Sequence, residues 1–131
     1  MKVFVTGATG FVGKRLIRRL LLRGDQVVAL TRSRHNMTGN ESGDRLLVIE
    51  GDPAKPGDWQ QQVTGCDAVV TLAGEPVFGE RWSTAFKERL ESSRIESAKQ
   101  MCAAMAPLGP EARPRVWVAA SAIGYYGARG D

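Results

Sequence analysis

Short apolar runs alternate with polar, turn-forming stretches along the whole chain. Val3, Phe4 and Val5 form a run closed by Gly7 and predict a buried strand. Beyond the glycines, Val12, Leu16 and Leu20 recur at helical spacing with Ile17 and Leu21 beside them, and Lys14, Arg15, Arg18, Arg19 and Arg23 fall between. That pattern predicts an amphipathic helix ending near Gly24, a residue suited to a C-terminal cap. Residues 26–30 (QVVAL) predict a second strand, 46–49 a third, 67–72 (DAVVTL) a fourth and 116–120 a fifth. Residues 33–45 are polar and rich in turn formers, so a loop without a regular crossover helix is expected there. Residues 58–63 predict a short helix. From Ser83 to Met105 there is neither glycine nor proline, and Phe86, Leu90, Ile95, Ala98, Met101 and Cys102 support a long helix capped by Ser83 or Thr84. Pro107, Gly109, Pro110 and Pro114 make the next segment a loop.

Strands alternating with helices in this order imply an α/β fold, a parallel sheet covered by helices on both faces. The chain of 131 residues suits one domain. With 43% apolar and 24% charged residues it is globular in composition, which excludes disordered and collagen-like classes. No apolar run approaches the roughly 18 residues needed to span a membrane, and no signal-peptide pattern follows Lys2, so a cytoplasmic location is the default expectation. The net charge of +4 is mild and much of it sits on the first helix, where a solvated face explains it; nucleic-acid binding prefers interleaved aromatics that are absent here and stays a minor alternative, so no nucleic-acid partner is expected. Cys66 and Cys102 form no CxxC pair and are expected to be small buried thiols. His35 is the single histidine, and no metal-ligand spacing is present.

The first strand runs into Thr6-Gly7-Ala8-Thr9-Gly10-Phe11-Val12-Gly13, a G-x-x-G-x-x-G pattern that opens a helix. In such a setting one glycine permits the strand-to-helix turn, one lets backbone approach a pyrophosphate, and one lets the helix pack closely. The helix N-terminus then offers unpaired N–H groups and a partial positive charge to phosphates. In this setting the pattern predicts a Rossmann-type doubly wound sheet that binds a dinucleotide, with glycines that serve only a tight turn as the plainer alternative. The second strand ends in Thr31 and Arg32, followed by Ser33 and Arg34. An NAD site usually places a carboxylate here for the ribose 2′-hydroxyl; an arginine favours the 2′-phosphate of NADP through charge-assisted hydrogen bonds. NADP is therefore expected over NAD, with surface arginines in a loop as the plainer alternative.

Four further strings stand beside the glycine turn: Gly51-Asp52 after the third strand, Leu72-Ala73-Gly74-Glu75-Pro76 after the fourth, Arg81-Trp82 with Phe86 and Ser93-Arg94-Ile95-Glu96-Ser97 in the long helix, and Ser121-Ala122-Ile123-Gly124-Tyr125-Tyr126-Gly127 after the fifth. Together they resemble the extended or atypical short-chain dehydrogenase/reductases, and more narrowly the NAD-dependent epimerase/dehydratase-like group of epimerase family proteins. The resemblance covers nearly the whole chain. It implies that Asp52 accepts from the adenine amino group, although an Asp before Pro53 also serves as a turn former. It implies that Leu72, Ala73 and Gly74 line the adenosine ribose and pyrophosphate, and that Arg94 reaches the cofactor unless it is a solvated helical arginine.

The same resemblance implies a Ser or Thr after the fifth strand and a Tyr-x-x-x-Lys pair for proton exchange. Ser121 is the catalytic candidate, but the usual hydroxyl position, counted back from Tyr126-Gly127, falls on Ala122. Tyr126 matches a structural tyrosine of the family. No Tyr-x-x-x-Lys occurs in the chain: Arg129 and Gly130 follow Tyr125 and Tyr126 by four. In relatives that pair lies beyond the equivalent of Asp131, as does the substrate-binding part. The chain is thus expected to be one dinucleotide-binding domain, 1–131, from a longer protein, with its last strands missing and an exposed sheet edge that invites pairing and homo-oligomers. Two functions remain open: an NADP(H)-linked oxidoreductase or epimerase acting on a small molecule such as a nucleotide sugar, and a non-catalytic NADP(H)-binding redox sensor. A third outcome is that the chain alone holds no nucleotide.

Overall fold

The computed structural model describes residues 1–37, 44–77 and 80–121. Five strands, β1 (Lys2–Thr6), β2 (Gln26–Thr31), β3 (Leu46–Glu50), β4 (Ala68–Thr71) and β5 (Val116–Ala119), form one sheet in the order β3-β2-β1-β4-β5. Every pairing is parallel; Val3 faces Val27 on one side and Ala68 on the other. Two α-helices cross between strands: α1 (Phe11–Arg23) links β1 to β2, and α2 (Thr84–Met105) links β4 to β5. The predicted helix at 58–63 is a 3-10 helix, and a 3-10 turn, Arg34–Asn36, lies in the described part of the predicted loop after β2.

The strands point alternate side chains to opposite faces, and each face has its own core. Val3, Val5, Val27, Ala29 and Ala68 meet Ile17 and Leu20 of α1. Phe4, Val28, Leu30 and Val69 meet Trp59 and Val63 of the 3-10 helix and Met101 and Ala104 of α2. Two buried faces explain why the inner strands read as continuous apolar runs, not as alternations. α1 stops at Gly24, whose φ of 93° lets its N–H turn back to Leu20 and Leu21 carbonyls. Its basic residues lie on the exposed face, as expected for a solvated helix surface.

Ser83, not Thr84, caps α2: its Oγ accepts from the Phe86 N–H at 3.1 Å. The buried face of α2 differs from the expected one. Phe86, Ser97, Met101 and Ala104 are buried, while Ile95 and Ala98 face outward. Cys102 also lies on that outer face, so the expectation of two buried thiols holds only for Cys66. The reason is phase: Met101 and Ala104 point inward, and Cys102, one residue on from Met101, is turned by about 100°. β5 is an edge strand, paired on one side with β4, and its Val116, Trp117 and Val118 are exposed. No helix of the described residues is long and apolar enough to cross a membrane.

Candidate functional site

The chain order reverses at the centre of the sheet. From β1 it winds outward to β2 and β3, then returns past β1 to β4 and β5. Loops leaving the carboxyl ends of β1 and β4 therefore diverge, and a crevice opens between them. A cavity of about 290 Å³ lies there, near the lower end of small-molecule sites. Its lining comes from the segment following each of the first four strands: Gly7, Thr9 and Gly10 after β1, Thr31 and Arg32 at the end of β2, 52–54 after β3 and 72–76 after β4. α2 adds Ser93 and Ser97.

The β1–α1 turn needs its glycines for space as well as conformation. Gly7 has φ of 70°, and a Cβ there would stand 2.7 Å from the Leu72 carbonyl carbon and the Ala73 nitrogen. At Gly13 a Cβ would stand 2.2 Å from the Gly7 oxygen, so its bare backbone lets the first turn of α1 sit down on the loop. Gly10 is the N-cap, extended at φ −71° and ψ 169°, and it brings no side chain into the cavity. The N–H groups of the next residues open the helix without intrahelical partners. Phe11 and Val12 are 75% and 58% exposed and line no part of the cavity; what they can offer a ligand is backbone. The Phe11 ring instead carries the Arg15 guanidinium at 4.4 Å.

Short polar contacts shape the rest of the wall. The Thr31 hydroxyl donates to the Ser33 carbonyl at 2.9 Å and accepts from the Ser33 N–H at 3.2 Å, a tight turn that delivers exposed Arg32 to the cavity rim. Asp52 folds into an Asx turn, Oδ1 accepting from the Ala54 N–H at 3.0 Å, with Lys55 Nζ 3.9 Å from Oδ2. Asp52 is therefore a turn former that also borders the cavity. Thr6, buried at the end of β1, ties down the opposite wall: its carbonyl accepts from the Leu72 N–H at 3.2 Å and its Oγ1 from the Ala73 N–H at 3.3 Å.

Nine of the sequence candidates thus meet at one cavity: Gly7, Thr9, Gly10, Thr31, Arg32, Asp52, Leu72, Ala73 and Gly74. Gly13 supports the turn from below. Arg94 does not line the cavity; its guanidinium donates to the Leu90 and Glu75 carbonyls and braces the wall from behind. Ser121 follows β5, is exposed and stands outside the lining. Ala122, Tyr125 and Tyr126 lie outside the described residues. Sequence reasoning missed Ser93 and Ser97. The signal was present: positions 86, 90, 93, 97, 101 and 104 form one helical stripe, and two serines interrupt it where apolar residues are the rule. Ser97 is buried and donates to the Ser93 carbonyl at 2.7 Å. Cys66 belongs to the core and not to this site; burial pushes its thiol pKa up, and its Sγ donates to the Gln62 carbonyl at 3.3 Å. No group of three or more His, Cys, Asp or Glu side chains gathers for a metal among the described residues.

Strand order, glycine turn and crevice together define an NAD(P)-binding α/β domain with Rossmann topology. The family described as NAD(P)H-binding matches the chain over residues 7–130, and the chain belongs to that family. It is similar to the chloroplastic epimerase family protein SDR39U1 homolog of Arabidopsis thaliana, 37% identical over 131 aligned positions that cover 97% of this chain and 36% of the relative. It is also similar to the epimerase family protein SDR39U1 of Homo sapiens, 32% identical over 128 positions covering 96% of this chain and 38% of the relative. The chain thus spans little more than a third of these relatives' length.

Solved structures agree. The human epimerase family protein SDR39U1 (isoform2) crystallised with NADPH is 28% identical, with a TM-score of 0.70 over 96% of this chain and 38% of that one. A UDP-glucose-4-epimerase from Stenotrophomonas maltophila, with bound NAD and formylated UDP-arabinopyranose, is 21% identical, with a TM-score of 0.78 over 100% of this chain and 40% of that one. At that identity the likeness is one of fold.

Proposed function

We propose that this chain is the NADP(H)-binding domain of a longer oxidoreductase or nucleotide-sugar epimerase. The observation that carries the choice of cofactor is Arg32. It borders the cavity at the carboxyl end of β2, the position at which dinucleotide domains read the adenosine ribose. A guanidinium there matches a 2′-phosphate in charge and in its paired donors. The similar human protein crystallised with NADPH supports the same choice. The walls fit the group: Gly7 and Gly10 present backbone without side chains, the α1 N-terminus favours anions, and the Asp52 carboxylate borders the cavity, which supports its assignment to an adenine amino group.

Bound in this crevice, the cofactor supplies hydride transfer to or from a carbonyl or alcohol. The chain's own residues bind and orient it. Gly7, Thr9 and Gly10 receive the pyrophosphate, Arg32 the 2′-phosphate, and Leu72, Ala73 and Gly74 the adenosine. The coverage of just over a third of each relative supports a further part of the protein that completes the substrate site.

A second reading, NADP(H) binding without turnover, is favoured by the position of Ser121 outside the cavity lining. Equilibrium titration with NADPH and NADH tests the cofactor choice. NADPH is expected to bind at least about tenfold more tightly, since one charge-assisted contact is worth roughly 1.5–3 kcal/mol. Arg32→Glu is expected to erase that preference. Equal affinity for the two nucleotides in the wild-type chain contradicts the role of Arg32. NADPH bound but left unoxidised by the full-length protein across a panel of aldehydes and ketones supports the second reading.

A further inference from the structure

The wall formed by residues 72–76 is hydrogen-bonded to α2 through the backbone of Glu75. The Glu75 N–H donates to Ser93 Oγ at 3.1 Å, and the Glu75 carbonyl accepts from Arg94 Nη2 at 3.2 Å. Both backbone polar groups of Glu75 are therefore held by consecutive side chains of the helix. Both side chains are braced on the same atom one turn back: Ser93 Oγ donates to the Leu90 carbonyl at 3.0 Å and Arg94 Nη1 donates to it at 2.8 Å. The guanidinium also crosses Gly74, where a Cβ would stand 3.3 Å from Arg94 Cζ and 3.5 Å from Cγ. Glycine at 74 thus makes room for the arginine. At its other end the segment hangs from Thr6 of β1 through Leu72 and Ala73.

We propose that Ser93 and Arg94 are positioning residues, a two-point clamp that sets the 72–76 wall at the spacing a dinucleotide requires. The proposal rests on the cofactor reading above. A connecting segment held only at its β4 end samples many conformations, and apparent affinity falls by the fraction of them that is competent to bind. The clamp reduces that sampling before the ligand arrives. It acts through hydrogen-bond geometry, not through the charge of Arg94, because both arginine contacts are to carbonyls. A lysine keeps the charge but cannot span two carbonyls with a planar fork. A threonine at 93 keeps the hydroxyl.

The test pairs amide hydrogen exchange of the ligand-free 131-residue chain with NADPH titration, for Ser93→Ala, Ser93→Thr and Arg94→Lys. Exchange of the Glu75 amide is expected to rise about tenfold or more in Ser93→Ala and Arg94→Lys and to stay near wild type in Ser93→Thr. The NADPH dissociation constant is expected to rise by about tenfold in the same two variants, while the melting temperature moves little. Unchanged exchange at Glu75 overturns the clamp. Faster exchange with unchanged NADPH affinity overturns its role in binding. If Arg94→Lys binds as wild type and exchanges as wild type, charge and not geometry is what Arg94 supplies, and the proposal falls. Failure of the wild-type chain to bind NADPH removes the cofactor reading; the exchange data then still decide whether the clamp itself exists.

Discussion

Replacing Gly7 with alanine asks the β1–α1 turn to accept one methyl group in the least forgiving place. Two costs add. An L-residue held at φ of 70° in the left-handed region costs about 1–2 kcal/mol. The new Cβ would also stand 2.7 Å from backbone atoms of Leu72 and Ala73, which are fixed by β4 and by Thr6, and forced overpacking of this kind costs about 1–3 kcal/mol. The sum is about 2–5 kcal/mol. For a domain of this size each kcal/mol lowers the melting temperature by roughly 4 °C, so a fall of about 8–20 °C is expected. Gly10→Ala is the matched control. Its φ is −71°, and its nearest contact would be 3.3 Å, to the Gly7 oxygen. That substitution is expected to stay within about 1 kcal/mol of wild type, since reduced freedom of the unfolded chain offsets the tight contact. Thermal unfolding followed by circular dichroism measures both. Gly7→Ala melting with wild type, or Gly10→Ala falling as far as Gly7→Ala, refutes the account of the turn.

Three further outcomes follow from the packing. Ser97→Leu projects a larger apolar side chain from a buried wall of the cavity and is expected to weaken NADPH binding by tenfold or more, with little change in melting; full affinity in this variant places the nucleotide elsewhere. The Arg23 guanidinium, 2.5 Å from Asp25, and then the Met1 α-amine, 3.0 Å from it, hold the Asp25 carboxyl below the ordinary carboxylate range. Asp25 therefore contributes stability above its unfolded-state pKa and loses it as pH falls through the lower folded value, so the melting gap between wild type and Asp25→Asn should hold above about pH 5 and narrow between about pH 5 and about pH 2. A gap that stays constant over that range contradicts the ion pair. A thiol reagent should label exposed Cys102 quickly and buried Cys66 only on unfolding, because burial keeps the Cys66 thiol protonated; equal labelling of the two in the native chain opposes this packing.

Most of the architecture could be read in advance because it depends on local signals. Apolar runs such as Val3 to Val5 and the glycine spacing at 7, 10 and 13 carry strand, turn and helix in consecutive residues. The cavity wall was legible where it follows directly from strand ends, as at Arg32, Asp52 and Gly74. What escaped depends on distant partners. Which face of α2 turns inward is decided by contacts with Val69 and the Trp59 helix, and the outward-facing Ile95 misled the pattern. Arg94, expected either to reach the cofactor or to be a solvated helical arginine, donates to the carbonyls of Leu90 and Glu75. No periodicity in α2 reports the path of the 72–76 segment that passes over it.

The proposed occupant of the crevice between the carboxyl ends of β1 and β4 is NADPH. Backbone amide chemical-shift mapping by NMR on titration with NADPH tests it most directly. The account predicts the largest changes at Gly7, Thr9, Gly10, Arg32, Ala73, Gly74, Ser93 and Ser97, with the exposed face of α1 and β5 unmoved. Saturable changes centred on β5 or on the basic face of α1, with the glycine turn silent, contradict it.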